Sequence, residues 1–178
     1  MAIELRLATM EDVPALKELI PASVRALSQG YYTPDQIETA ISEIFGVDTQ
    51  LISDGTYFLA EAAGQIVGCG GWSKRQTLFG SDAAKSATSD GLLDPVKDAA
   101  RVRAFYVHPN WARRGVGRQV LQHCEDAARS AGFTKLELVA TLPGEPLYKA
   151  LGYVVIEPTV LPMSKDRSLA AYRMGKLL

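Results

Sequence analysis

Val102-Arg103-Ala104-Phe105-Tyr106-Val107-His108 is followed by Pro109-Asn110-Trp111-Ala112-Arg113-Arg114 and then by Gly115-Val116-Gly117-Arg118. The first segment is nearly continuous in apolar character, as expected of a strand in the middle of a sheet. Pro109 and Asn110 end it. From Val116 onward Val120, Cys124, Ala127 and Ala131 fall on one helical face and Arg118, Gln122, Glu125 and Arg129 on another, with Gly132 placed to stop the helix. The unit is therefore strand, short loop, glycine pair, amphipathic helix. A helix start leaves several backbone N–H groups without partners, and the positive end of the helix dipole points the same way, so this opening is an anion site. Glycines at 115 and 117 let a phosphate approach those amides, and Arg113, Arg114 and Arg118 add positive charge around them. Glycines that merely end a loop, with arginines solvating a helix end, would give the same residues.

Working outward, Ile3, Leu5 and Leu7 alternate with polar residues as a first strand, and Thr9-Met10-Glu11-Asp12 opens a helix expected to end near Pro21. Thr33-Pro34-Asp35 opens a second helix to about Phe45, with Ile37, Ile41 and Ile44 as its apolar stripe. Tyr57–Ala62 and Gln65–Trp72 flank Ala63-Gly64 as a hairpin. Gln76 to Ala100 has no period and reads as a long loop, a length that usually signals function or mobility. On the far side, Leu136–Ala140 is a strand, Glu145–Leu151 a short helix closed by Gly152, and Tyr153–Ile156 and Ala170–Leu177 two last strands.

With 178 residues, 47% hydrophobic and 22% charged, the chain has the make-up of one ordered globular domain, taken as residues 1–178. Its 19 basic and 20 acidic residues leave a net charge of −1, which argues against a nucleic-acid partner. No stretch has the length and apolarity of a signal peptide or a membrane span, so a cytoplasmic location and no membrane partner are expected. Cys69 and Cys124 have neither zinc-site nor scaffold spacing and are expected to be free, buried thiols, neither of them a nucleophile. Of the known phosphate loops, the P-loop fails for want of a GK[ST] continuation. A dinucleotide fingerprint fares slightly better, with Gly115, Gly117 and Glu137 about 20 residues on, but Val120 stands in place of its third glycine.

The segment Ala112-Arg113-Arg114-Gly115-Val116-Gly117 at a helix start resembles the central motif of the GNAT superfamily of acyl-CoA N-acyltransferases, Gln/Arg-x-x-Gly-x-Gly/Ala, with Ala112 departing at the first position. Glu145-Pro146-Leu147-Tyr148-Lys149-Ala150-Leu151-Gly152-Tyr153 resembles that family's later helix ending in Leu-Gly-Phe/Tyr, and Met174-Gly175-Lys176-Leu177 its closing strand. The resemblance covers nearly the whole chain. It implies an α/β fold, with a central mixed sheet of about six or seven strands flanked by about four helices. It also implies acetyl-CoA as acyl donor. Residues 112–118 would hold the pyrophosphate, backbone groups of Phe105, Tyr106 and Val107 would meet the pantetheine arm where parallel strands splay, and Thr141 stands near a family Asn that touches the cofactor. Tyr148 falls at the family's general-acid position, and a phenol can give the departing thiolate its proton.

Ordinary strand alternation would put Phe105 and Val107 on one face with Arg103, and Ala104 and Tyr106 on the other. The carboxylate that many relatives carry on the strand before the loop is absent, Arg101 and Arg103 occupying that stretch; Asp94, Asp98, Glu145 or an ordered water are the remaining candidates for a base. The expected reaction is direct transfer to a small-molecule amine within a ternary complex. A homodimer is compatible with this reading. Asp82, Asp90, Asp94 and Asp98 against Lys85 and Lys97, with Tyr31, Tyr32, Trp72 and Phe79, suggest an acidic and aromatic lining for a cationic amine. A non-catalytic acyl-CoA-binding module and a dinucleotide-dependent enzyme remain alternatives.

Overall fold

The computed structural model describes residues 2–84 and 90–178, so Lys85 lies outside the described residues. The chain begins with β1 (Glu4–Leu7), α1 (Val13–Leu27), α2 (Pro34–Glu43), α3 (Thr49–Ser53), β2 (Tyr57–Ala62) and β3 (Gln65–Ser73). It continues with β4 (Ala100–Val107), α4 (Val116–Ser130), β5 (Lys135–Thr141), α5 (Glu145–Ala150), β6 (Val154–Pro162) and β7 (Ser168–Leu177). The strands form one seven-stranded sheet in the order β1-β2-β3-β4-β5-β7-β6. All neighbours are antiparallel except β4 and β5. That parallel pair is joined through α4, as a crossover requires.

Local signals explain many of the element boundaries. Thr33 caps α2 by accepting from Gln36 N–H, and the Gln36 side chain returns a bond to the Thr33 amide, a complete capping box. Ala63 and Gly64 both take positive φ, 52° and 75°, which gives the hairpin turn a twist matching its strands. The core has two parts, one on each face of the sheet. Val116, Val120, Leu121, Cys124 and Ala128 of α4 pack with Phe58, Val67, Leu136, Leu138 and Met174 on one face. Leu16, Leu19, Ile20 and Val24 of α1 pack with Ile37, Leu51, Tyr57, Leu59 and Leu169 on the other.

Several expectations change here. α1 does not stop near Pro21 but continues to Leu27, with Pro21 inside it. A proline within a helix costs about 3 kcal/mol in isolation, and the buried stripe that resumes at Val24 after Leu16, Leu19 and Ile20 offsets it. α3 carried no sequence signal as a helix; Asp48 caps it by accepting from Leu51 N–H. β6 runs on to Pro162 rather than ending at Ile156, and its prolines are tolerated because it is the edge strand of the sheet.

The long connection after β3 has no helix or strand among its described residues, but it is tied down. Gln76 N–H donates to Gly91 O, Leu93 N–H to Lys74 O, and Thr77 N–H to the Asp90 carboxylate. Arg75 also holds Asp54 through two charge-assisted hydrogen bonds.

Candidate functional site

Two irregularities of β4 create the site. Its register against β3 steps from Cys69↔Tyr106 to Gly71↔Arg103, which leaves one extra residue on β4, and Ala104 takes a φ of 59° to absorb it. The bulge resets the alternation. Arg103 therefore does not share a face with Phe105 and Val107: it reaches Asp48 at the start of α3, on the same side as Ala104 and Tyr106, while Phe105 and Val107 lie on the α4 side. The second irregularity is the brevity of the parallel pairing, which covers only Ala100↔Leu136 and Arg101↔Glu137. Beyond it β4 and β5 part, and the gap opens into a cleft of about 680 Å³ that joins the two faces of the sheet.

At one end of the cleft lies the start of α4. Gly115 is its N-cap with a φ of 85° and no side-chain cap, so the first amides of α4 receive nothing from that residue. A Cβ at Gly115 would meet no atom within 4 Å, so what calls for glycine there is the left-handed backbone. Gly117 is constrained differently: a Cβ would stand 2.9 Å from Leu147 Cδ2, so the glycine lets α4 close on α5. Ala112, Arg113, Gly115, Val116, Gly117 and Arg118 line this end, with Phe105, Tyr106, Val107 and Thr141 farther in. Arg114 is not brought into the lining; its guanidinium lies 5.4 Å above the Trp111 ring.

Tyr148 of α5 lines the cleft and is 8% exposed. Its ring stands edge-on to Phe105, with centroids 6.4 Å apart, and to Tyr153 at 5.8 Å. Burial raises its pKa well above that of an ordinary phenol, with the neighbouring Cys124 a further contribution, so the group is held in its proton-bearing form. The Val107 N–H is already engaged: Ser23 Oγ of α1, itself in the lining, accepts from it at 3.2 Å. Nothing in the sequence singled out Ser23, because a serine within a helix carries no signal of its destination.

The remaining candidates separate cleanly. Tyr31 and Phe79 line the cleft. Tyr32 and Trp72 do not: the Tyr32 hydroxyl donates to Ala170 O and accepts from Leu142 N–H, and Trp72 is buried against Phe133. The expected acidic lining is not found among the described residues. Asp82 accepts from Thr49 N–H, Asp90 from Thr77 N–H, and Asp94 and Asp98 close a local turn. Glu145 pairs with Lys149 on the surface of α5. Arg101 pairs with Glu137 and Arg103 with Asp48. Both cysteines are free and buried, and burial pushes the Cys69 thiol up to about 12.

The fold has solved counterparts. A GCN5-related N-acetyltransferase from Rhodopseudomonas palustris is 21% identical, with 100% of this chain and 97% of that one covered and a TM-score of 0.74. PaiA N-acetyltransferase from Thermoplasma acidophilum, solved in complex with coenzyme A, is 16% identical, with both chains covered 100% and a TM-score of 0.66. YncA, a putative acetyltransferase from Salmonella typhimurium solved with acetyl-CoA, is 18% identical over 100% and 95% of the two chains, with a TM-score of 0.64. No curated protein matches the chain at a significant level. The acetyltransferase (GNAT) family model matches residues 22–153, from the middle of α1 through α4 to the end of the Leu-Gly-Tyr turn. The residues that build the cleft lie mostly within that span, and the chain belongs to the acetyltransferase (GNAT) family.

Proposed function

We propose that residues 1–178 are a single N-acetyltransferase domain that moves an acetyl group from acetyl-CoA to the amine of a small molecule, by direct transfer in a ternary complex. One observation carries this reading: a single cleft at the gap between β4 and β5 contains both an open helix N-terminus at Gly115 and a buried phenol at Tyr148. The helix start suits a pyrophosphate, and the gap suits an extended arm running toward the phenol. Coenzyme A or acetyl-CoA bound in the PaiA and YncA structures supports the choice of donor.

The amine lone pair attacks the thioester carbonyl carbon, the C–S bond breaks, and Tyr148 gives its proton to the thiolate and recovers one from solvent. The amine proton leaves to water, since no Asp, Glu or His lines the cleft among the described residues. The free, buried cysteines fit a reducing compartment such as the cytoplasm.

The test is a thermal-shift comparison of acetyl-CoA, NAD and ATP, followed by a thiol-release assay with amines. A rise in Tm with acetyl-CoA alone and amine-dependent thiol release are expected. Stabilisation by acetyl-CoA without thiol release from any amine would leave a binding module instead, and stabilisation by NAD alone would favour a dinucleotide enzyme.

A further inference from the structure

We infer that the acceptor is a primary amine on a short apolar tail, an arylalkylamine in chemical class, and not a polyamine, an amino sugar or a lysine-bearing chain. This rests on reading the cleft as an acetyltransferase site. On the face of the sheet that carries α1, the lining includes Leu27, Tyr31, Phe45, Phe79 and Leu161, with the Tyr106 ring edge-on to Phe45 at 6.3 Å and the hydroxyls of Ser23 and Ser28 as its uncharged polar side chains. Tyr31 and Phe79 are 51% and 38% exposed, so they are rims open to a ligand and not parts of a closed core.

The charges around this half point the same way. Among the described residues, the charged groups in the lining are Arg103, Arg113 and Arg118. The last two belong to the anion end at α4. The Arg103 side chain is only 2% exposed, with Nε 2.9 Å from Asp48 and Nη1 donating to Thr77 O at 2.7 Å. Its charge is thus paired with Asp48 inside the protein. A second ammonium on the acceptor would lose water here without meeting an anion from a described residue, and an unpaired charge is costly to desolvate. An aromatic tail meets rings and aliphatic walls instead.

The wall is also fixed in place. Thr77 is held from both sides, its N–H by Asp90 and its carbonyl by Arg103, and Asp82 accepts from Thr49 N–H beyond. Leu78 and Phe79 are suspended between these anchors. The carboxylates that would make this segment attractive to a polyamine are the ones that tie it to the fold. In the step itself, the amine nitrogen forms its bond to the acetyl carbon as the C–S bond breaks; the amine loses one proton to water and the thiolate gains one, giving N-acetylamine and free CoA thiol.

The experiment measures thiol release by the full chain with 2-phenylethylamine, tryptamine, spermidine and a lysine-containing peptide at saturating acetyl-CoA. Expected is a kcat/KM for 2-phenylethylamine about 100-fold above that for spermidine, the scale on which an apolar pocket discriminates. Phe79→Ala should raise the KM for 2-phenylethylamine about tenfold and leave the acetyl-CoA thermal shift in place. Phe79→Glu should narrow the gap in favour of spermidine. Preference of the wild type for spermidine or the peptide would overturn the inference. So would failure to acetylate either arylalkylamine while acetyl-CoA still raises the Tm, which defeats the acceptor class alone. Absence of both a thermal shift and any thiol release would remove the acetyltransferase reading together with it.

Discussion

Replacing Tyr148 by Phe separates a proton donor from a packing residue. The ring is 8% exposed and held edge-on between Phe105 and Tyr153 at 6.4 and 5.8 Å, and phenylalanine keeps both contacts. What is lost is one hydroxyl whose pKa is set by burial, with no hydrogen bond contributing to it. The stability change should therefore stay within about 1 kcal/mol, the net worth of an ordinary hydrogen bond. Turnover should fall roughly 10²–10⁴-fold, the usual contribution of a positioned general acid. At 1.36 kcal/mol per decade that is about 3–5 kcal/mol of barrier. Because burial raises the phenol above its ordinary value, the wild type should show no loss of activity from Tyr148 ionisation up to about pH 10. Steady-state thiol release gives kcat, and a thermal shift with acetyl-CoA reports binding, which should match the wild type. Unchanged turnover would refute the assignment. A parallel loss of turnover and of acetyl-CoA binding would reduce Tyr148 to a packing residue.

The anion site is tested by Gly117→Asp, expected to abolish the acetyl-CoA thermal shift, against Gly117→Ala, which adds the same contact with Leu147 Cδ2 without the charge. Leu147 Cδ2 is the end of a flexible, half-buried side chain and can give way, so both variants should fold; equal loss of cofactor binding in the two would remove charge as the reason. Arg6 holds Asp12 through two charge-assisted hydrogen bonds and depresses its pKa from 3.8 to about 2. A depressed folded-state pKa contributes stability that is fully present above pH 4 and is lost as pH falls toward 2, here about 1 kcal/mol because Arg6 is solvent-exposed. Urea melts at pH 6, 4 and 2.5 should show Asp12→Asn converging on the wild type at the lowest pH, and a constant gap would contradict the pairing. Finally, replacing both Cys69 and Cys124 by Ala should preserve amine-dependent thiol release, since both thiols are buried and raised by burial. Mass-spectrometric detection of an acetyl-cysteine formed from acetyl-CoA would overturn direct transfer.

The sequence by itself determined the elements whose signals are local. The capping box at Thr33, the Ala63-Gly64 turn, Val120 and Cys124 on the buried face of α4, and the glycine-bearing start of that helix each follow from backbone preference or period and stand where those preferences put them, whereas Ala131, expected on the same face, is exposed, and Glu125, expected on the polar face, is buried beside Lys176. The order of strand, loop, helix, strand and short helix was enough to mark the family resemblance and to gather most of the cleft residues on paper. Tertiary structure decided what depends on a distant partner. The bulge at Ala104 carries no sequence mark, because alanine has no preference for a φ of 59°; the register of β3 against β4 imposes it, and with it the face on which Arg103 lies. α1 passes through Pro21 because the sheet beneath supplies a buried stripe on both sides of it. Tyr31 and Tyr32 are adjacent in sequence, yet one rims the cleft and the other pins β7 through Ala170 O. The acids of the long connection count equally toward its charge, but their carboxylates are consumed by amides such as those of Thr49 and Thr77, which the sequence does not show to be near. Periodicity and capping act over a few residues along the chain, whereas the destination of a side chain is fixed by whichever unsatisfied donor or apolar surface the folded chain brings beside it.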